Sequence, residues 1–294
     1  MTNTKKKIWM WSAGLSLGLI GSASASLWQP TDAPNLALWL DASDAGSLNT
    51  TVQGNDVTTW SDKSGHGNHA SVTGTAPTYD ASFFGGMGSV RFDADPEAMR
   101  VAYTNTGGLF GNGDSTFIGV IRRDTLSNGS SDDWLWQVNG NDRPRINWSG
   151  TGPTITTNPQ DFGAIVGSET RVDGSVSLDV ARDAESILFI HSTGNWESRE
   201  TGFLTLGNRA EPAASGDRPF DGNVAELIFF NNTLSGDDQL RLEGYLAHKW
   251  GLEGSLPVDH IYKAAAPMAA VPEGSTGALV LLGLLVLMRM RHRR

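Results

Sequence analysis

The chain has 294 residues and carries 22 lysines plus arginines against 32 aspartates plus glutamates, a net charge of −10. That balance disfavours nucleic acid and anionic polymers as partners and suits cations or neutral glycans. Cysteine is absent, so neither a disulfide framework nor a thiolate metal site can hold the fold together.

In chain order, Lys5, Lys6 and Lys7 precede the apolar stretch Ile8 to Ile20, and Ala23-Ser24-Ala25 offers the small residues a signal peptidase requires. Residues 1–25 therefore read as a cleaved export signal. A succession of short β-branched and aromatic runs follows, at 36–40, 57–60, 89–92, 116–121, 134–138, 175–181, 187–191, 203–206 and 224–230, divided by clusters of turn-forming residues. This spacing predicts an all-β two-sheet sandwich; βαβ alternation and a fixed-period repeat are both missing. One helix is predicted, with Ser235 as its cap, Asp238 at the capping-box position, Leu240, Leu242, Tyr245, Leu246 and Trp250 as apolar contacts, and Gly251 as its stop. It is expected to pack across an edge or end of the sandwich. Beyond it, residues 256–262 read as a tether, and the alanine-rich residues 263–270 as a flexible linker.

The chain closes on Val271, Pro272, Glu273, Gly274, Ser275 and Thr276, an apolar run over 277–288, and then Arg289, Arg291, Arg293 and Arg294. Twelve helical residues reach about 18 Å against a hydrocarbon core of about 30 Å. The run spans a membrane only if Gly274 to Thr276 and the snorkelling arginine stems assist. Lysines before the first apolar segment and arginines after the second both stay cytoplasmic under the positive-inside rule, leaving everything between them on the far side. The two ends hold seven of the basic residues and one of the acidic ones, so the body carries 15 against 31, a net charge of −16.

The tail resembles the PEP-CTERM sorting signal of Gram-negative bacteria, with Gly274 where the usual motif has a second proline. The resemblance implies an exosortase-type sorting machinery as partner. It also implies a route through an inner-membrane-anchored intermediate to the cell surface, outer envelope or extracellular matrix. In the body, Leu38-Trp39-Leu40-Asp41-Ala42-Ser43-Asp44 is followed by Val57 to Asn68 and by Ser89-Val90-Arg91-Phe92-Asp93. Near the end come Val224 to Phe230 and Glu243 to Leu252. Together these resemble the LamG-like, concanavalin A-like jellyroll domains of bacterial surface proteins, over most of 34–262. That resemblance implies a two-sheet jellyroll for recognition and adhesion, often with structural calcium. The expected plan is a signal over 1–25, a jellyroll over 26–262, a linker over 263–270 and a sorting tail over 271–294 with a transmembrane segment at 277–288.

Several residue groups carry possible chemistry. Asp62, Ser64 and Asn68 bring carboxylate, hydroxyl and amide oxygens into one loop, the hard-ligand chemistry calcium takes. Asp41 and Asp44 stand at a strand end and can join them. Asp221 or Glu226 can do so too, if the first and last strands pair. The alternative for Asp62 and Asn68 is an Asx-type turn. His66 and His69 have the spacing of two zinc ligands but no third partner in view, so an exposed turn is the reading kept. Asp93, Asp95 and Glu97 alternate as paired glycosidase carboxylates do, although Pro96 marks the strand's end. Trp39, Trp60 and Trp250 fall in the family-like segments and read as core. Trp134, Trp136, Trp148 and Trp196 are the expected glycan contacts, with core packing as the alternative. The sum of these readings is an exported, noncatalytic protein binding extracellular polysaccharide or another envelope component. A purely structural spacer and a glycan hydrolase are the alternatives.

Overall fold

The structure, a computed structural model, describes residues 26–51, 54–93, 97–104, 109, 114–124, 132–138, 145–149, 154–156, 169–193, 201–208 and 219–269. The signal, Asp95, Trp196, the sorting motif, the apolar run over 277–288 and the terminal arginines lie outside them. Among the described residues, sixteen strands form two eight-stranded sheets, and one α-helix, α1 (Gly236–Trp250), follows the last strand. Sheet 1 takes β1 (Leu36–Asp41), β5 (Thr78–Phe84), β6 (Met87–Asp93), β8 (Asp114–Arg123), β12 (Glu169–Val172), β13 (Ser175–Val176), β14 (Glu185–Thr193) and β16 (Asp221–Phe230). Sheet 2 takes β2 (Leu48–Thr50), β3 (Val57–Trp60), β4 (Ala70–Val72), β7 (Met99–Thr104), β9 (Asp132–Val138), β10 (Arg145–Ser149), β11 (Ile155–Thr156) and β15 (Thr201–Leu206). All pairings between these strands are antiparallel, and the expected all-β class with one helix is what the structure has.

The organising strand is β16. One of its edges pairs with β8, and the other is shared in succession by β6 (from Val224 to Asp221) and β1 (from Phe230 to Glu226). The first and last strands of the domain thus lie side by side. Every residue of β16 is buried. Val224, Leu227 and Phe229 point into the core between the sheets; Ala225, Ile228 and Phe230 point into a second core under α1. A strand with both faces covered must read as a near-continuous apolar run, which is why 224–230 is so hydrophobic. Between the sheets, Phe117 and Phe229 of sheet 1 meet Trp136 of sheet 2, each at a ring-centroid separation of 5.7 Å.

The helix starts and stops where its sequence says. The Asp238 amide donates to the Ser235 hydroxyl at 3.2 Å, and Gly251 takes φ 70°, the left-handed stop that glycine adopts without a Cβ penalty. Its position differs from the expected edge or end, because it lies flat on the outer face of sheet 1. That face is apolar, through Trp39, Ile118, Val120, Ile187, Phe189 and Ile228, and Leu242, Leu246, Ala247 and Trp250 cover it. Each leucine so buried contributes about 2 kcal/mol.

Two further expectations change. The run at 175–181 supplies only the two-residue β13, turned back from β12 by Asp173 (φ 52°) and Gly174 (φ 77°), the positive-φ pair a tight hairpin requires. The alanine-rich stretch read as a flexible linker is packed over 263–269. The Lys263 ammonium donates to the carbonyls of Glu253, Gly254 and Leu256, Pro267 is buried, and Met268 pairs with Leu27.

Candidate functional site

The acidic motifs that suggested calcium do come together, but around lysines. Glu226 is 0 % exposed beneath α1, and its carboxylate accepts from the Trp39 indole at 2.6 Å, the Trp250 indole at 2.7 Å, the Lys249 ammonium at 2.8 Å and the Tyr245 hydroxyl at 3.1 Å. Lys249 also reaches Asp41 at 2.8 Å, and Lys63 joins Asp41 at 2.9 Å to Asp44 at 3.1 Å. Asp41 further accepts from the Ser43 hydroxyl at 2.6 Å. Burial would push the Asp41 carboxyl up, but Lys249, Ser43 and Lys63 hold it below the ordinary carboxylate range. Burial pushes Glu226 up, with Lys249 opposing it. The same burial, then the negative charges of Glu226 and Asp41, push the Tyr245 phenol up, so it stays a donor.

The loop after β3 serves backbone. Asp62 accepts from the backbone amides of Trp39, Ser64 and Asn68, each at 2.9 Å, and from the Ser64 hydroxyl at 2.7 Å, while the Asn68 side-chain Nδ2 donates to the Ala37 carbonyl at 2.8 Å. With the Lys63 amide on the Trp39 carbonyl at 2.8 Å, the loop covers the edge of β1 that β16 does not use. Asp221 pairs separately with Arg91 at 2.6 Å. The six expected calcium ligands therefore divide into an ion-pair network, a loop cap and a remote salt bridge. Among the described residues, no group of three or more metal-ligating side chains converges.

The other expected residues are also placed by the fold. His66 is exposed, and His69 accepts the Asp62 amide through Nδ1 at 3.0 Å, which makes it part of the turn. The Glu97 carboxylate is buried and accepts the Asp93 amide at 2.8 Å, closing the end of β6. Trp134, Trp136 and Trp148 are all buried to 1 % exposure or less, so their ring faces meet core, not sugar; Trp148 carries the Arg123 guanidinium at 4.5 Å. Trp39, Trp60 and Trp250 are core, as read from the sequence.

An open surface remains on sheet 2. Register aligns Leu48, Trp60, Ala70, Val101, Leu204 and Val138 in one rank across the sheet, all buried toward sheet 1. The adjacent rank is Asn49, Thr59, Ser71, Arg100, Thr205 and Gln137, and by the two-residue period of strands it faces outward. At the β15–β9 end of the rank Thr205 and Gln137 are fully buried, and the Thr205 hydroxyl has no hydrogen-bond partner; the open part of the face lies over β2, β3, β4 and β7. Beside it Phe203 is 46 % exposed, with the Arg100 guanidinium 5.5 Å from its ring centroid and exposed Ala102 as its cross-strand neighbour. A partly open aromatic ring, a guanidinium and short hydroxyl side chains on one flat sheet face can stack on a ring and hydrogen-bond its substituents. Sequence reading had missed this group, although 203–206 was read as a strand. The alternation Phe203, Leu204, Thr205, Leu206 was the available signal, and the tryptophans outweighed it.

No protein-family model matches the chain, and no curated protein sequence does. Among solved structures, it resembles the sialidase of Trypanosoma rangeli in complex with sialic acid, with a TM-score of 0.46 and 10 % identity over 77 % of this chain and 36 % of that one. It resembles a mutant of that sialidase displaying trans-sialidase activity, with a TM-score of 0.42 and 10 % identity over 69 % of this chain and 32 % of that one. The binding domain of Botulinum neurotoxin DC in complex with SialylT is matched with a TM-score of 0.40 and 9 % identity, over 74 % of this chain and 52 % of that one. The chain spans about a third of the length of the sialidases. Because the structures it resembles include sialidases, the expectation that it is no enzyme is withdrawn; likeness of this degree assigns no reaction.

Proposed function

We propose that this chain is an exported surface or matrix protein whose sandwich, a LamG-like jellyroll, binds a glycan or another envelope component on the open face of sheet 2. The observation that carries the proposal is the asymmetry of the two sheets. The central strands of sheet 1 have both faces buried, whereas sheet 2 presents outward, over β2, β3, β4 and β7, a polar rank that includes Arg100, with Phe203 beside it. An aromatic ring left open on a flat sheet suits the apolar face of a sugar ring, and Ser71, Thr59 and Arg100 supply partners for its hydroxyl or carboxylate groups. The tail from Val271 to Arg294 fits an exosortase-type address that delivers this face to the envelope.

The test is a glycan array probed with residues 26–269 and with the Phe203→Ala variant. Binding by the parent and its loss in the variant is the expected result. An array on which the parent binds nothing sinks the carbohydrate reading and leaves the spacer role.

A further inference from the structure

Lys249 stands where two buried carboxylates meet. Its ammonium is 2.8 Å from Asp41 Oδ1 at the end of β1 and 2.8 Å from Glu226 Oε2 on β16. Contact with Oδ1 puts the Asp41 carboxyl carbon one bond further on, close to the roughly 3–3.5 Å from which an amine attacks. The other carboxyl oxygen, Oδ2, accepts from the Lys63 ammonium at 2.9 Å, and Oδ1 also accepts from the Ser43 hydroxyl at 2.6 Å. Glu226 is fixed in turn by the Trp39 and Trp250 indoles and the Tyr245 hydroxyl. The Lys249 ammonium lies 5.2 Å from the Trp250 ring centroid and 5.5 Å from that of Tyr245.

An ion pair needs only the first of these contacts. An amine against a carboxyl carbon, a second carboxylate on the same nitrogen to carry protons, and a cation on the far oxygen are together the parts of amide formation. Burial pushes Glu226 up, which suits it to hold a proton in transit. Two desolvated charges are costly, and an amide in their place carries none. Groups fixed in such register react as if at about 10⁵–10⁸ M.

We propose that Lys249 and Asp41 condense to an intramolecular amide that joins β1 covalently to α1, the ion pair being the state before the bond forms. The Lys249 ammonium passes a proton to Glu226, and the neutral Nζ attacks Cγ of Asp41. Lys63 meets the negative charge that gathers on Oδ2. Glu226 delivers its proton to Oδ1, a second proton leaves the nitrogen by the same route, and that oxygen departs as water. Of three hydrogens on Nζ, one stays on the amide and two leave with the oxygen; nothing is oxidised or reduced. Only the ion-paired chain then has an Asp41 carboxyl to titrate. With no cysteine for a disulfide, a bond from residue 41 to residue 249 closes most of the described body into one loop, where a cross-link restricts the unfolded chain most.

The test is to unfold the purified full chain, digest it with trypsin and weigh the peptides. The expected product is a branched species in which the peptide ending at Lys63 is joined to residues 242–263, with the mass of the two less one water and the bond after Lys249 uncut. Lys249→Arg and Asp41→Ala should give the separate peptides, and folded Glu226→Gln should be recovered largely without the cross-link. The parent digest decides by itself, whether or not a variant folds: separate peptides cut after Lys249 overturn the proposal. Water lost between Asp41 and Lys63 instead overturns the assignment of Lys249, and complete cross-linking in folded Glu226→Gln overturns the proton route.

Discussion

The outer faces of the two sheets start from the same alternation of side chains and end in opposite states. On sheet 1, Trp39, Ile118, Ile187 and Ile228 make the face apolar, so α1 lies on it. Sealing that face buried a glutamate and an aspartate, and the half-buried Lys249 pairs with both. On sheet 2, the face over β2, β3, β4 and β7 carries Asn49, Thr59, Ser71 and Arg100 and stays open, with Phe203 the one large ring exposed on it among the described residues. The residues that look most chemical in the sequence, Asp41, Glu226 and Lys249, hold the closed face shut. The less conspicuous ones face solvent.

The largest expected effect falls on the closed face. Replacing Lys249 with Met leaves Asp41 and Glu226 buried without their shared cation, and urea denaturation of residues 26–269 should show a loss of about 3–5 kcal/mol. A loss below 1 kcal/mol would mean the network is not what closes that face.

Next comes a buried carboxylate whose effect has the opposite sign. Asp173, in the hairpin before β13, accepts the Ile187 amide at 2.8 Å, yet burial pushes it up to about 6. A carboxyl raised in the folded state favours folding only at low pH; as pH rises from its ordinary value of 3.8 through about 6, that contribution is lost. Asp41, held below the ordinary range, behaves oppositely: its contribution is complete above that range and is lost only as pH falls beneath it. Asp173→Asn keeps the amide acceptor and the turn conformation without the charge. It should stabilise the domain at pH 7 by about 2 kcal/mol, with the gain vanishing at pH 4. Equal gains at both pH values would contradict the burial of this carboxyl.

Smaller effects belong to the open face. Phe203→Ala should change stability by less than about 1 kcal/mol, since nearly half the ring is already in water. Calcium or a chelator should leave the melting midpoint of residues 26–269 unmoved, because the carboxylates around Asp62 and Asp41 are committed to amides and ammonium groups. A calcium-dependent rise would show that these side chains regroup around a cation.

Much of the fold was legible because it depends on local chemistry. Turn residues bounded the strands, and Ser235 with Gly251 bounded the helix. The pairing of the first and last strands enters the sequence analysis only as a condition for Asp221 or Glu226 to join Asp41, and the structure has it. The site was less legible, because burial is set by tertiary partners and not by residue type. Trp134 and Trp148 read as sugar contacts until sheet 1 is laid over them, and Asp41 as a metal ligand until α1 brings Lys249 within 2.8 Å. The packing of 263–269 was illegible for a similar reason, since its hydrogen bonds go to distant backbone such as the Trp28 amide.

The contrast between the faces is tested most directly by binding measured on both. Residues 26–269, the Phe203→Ala variant and the Asp173→Asn variant are titrated calorimetrically with the oligosaccharide that binds best on the array. The account predicts that Phe203→Ala abolishes the heat of binding while remaining folded, and that Asp173→Asn, distant in register from the polar rank, binds as the parent does. Undiminished binding by folded Phe203→Ala would contradict it.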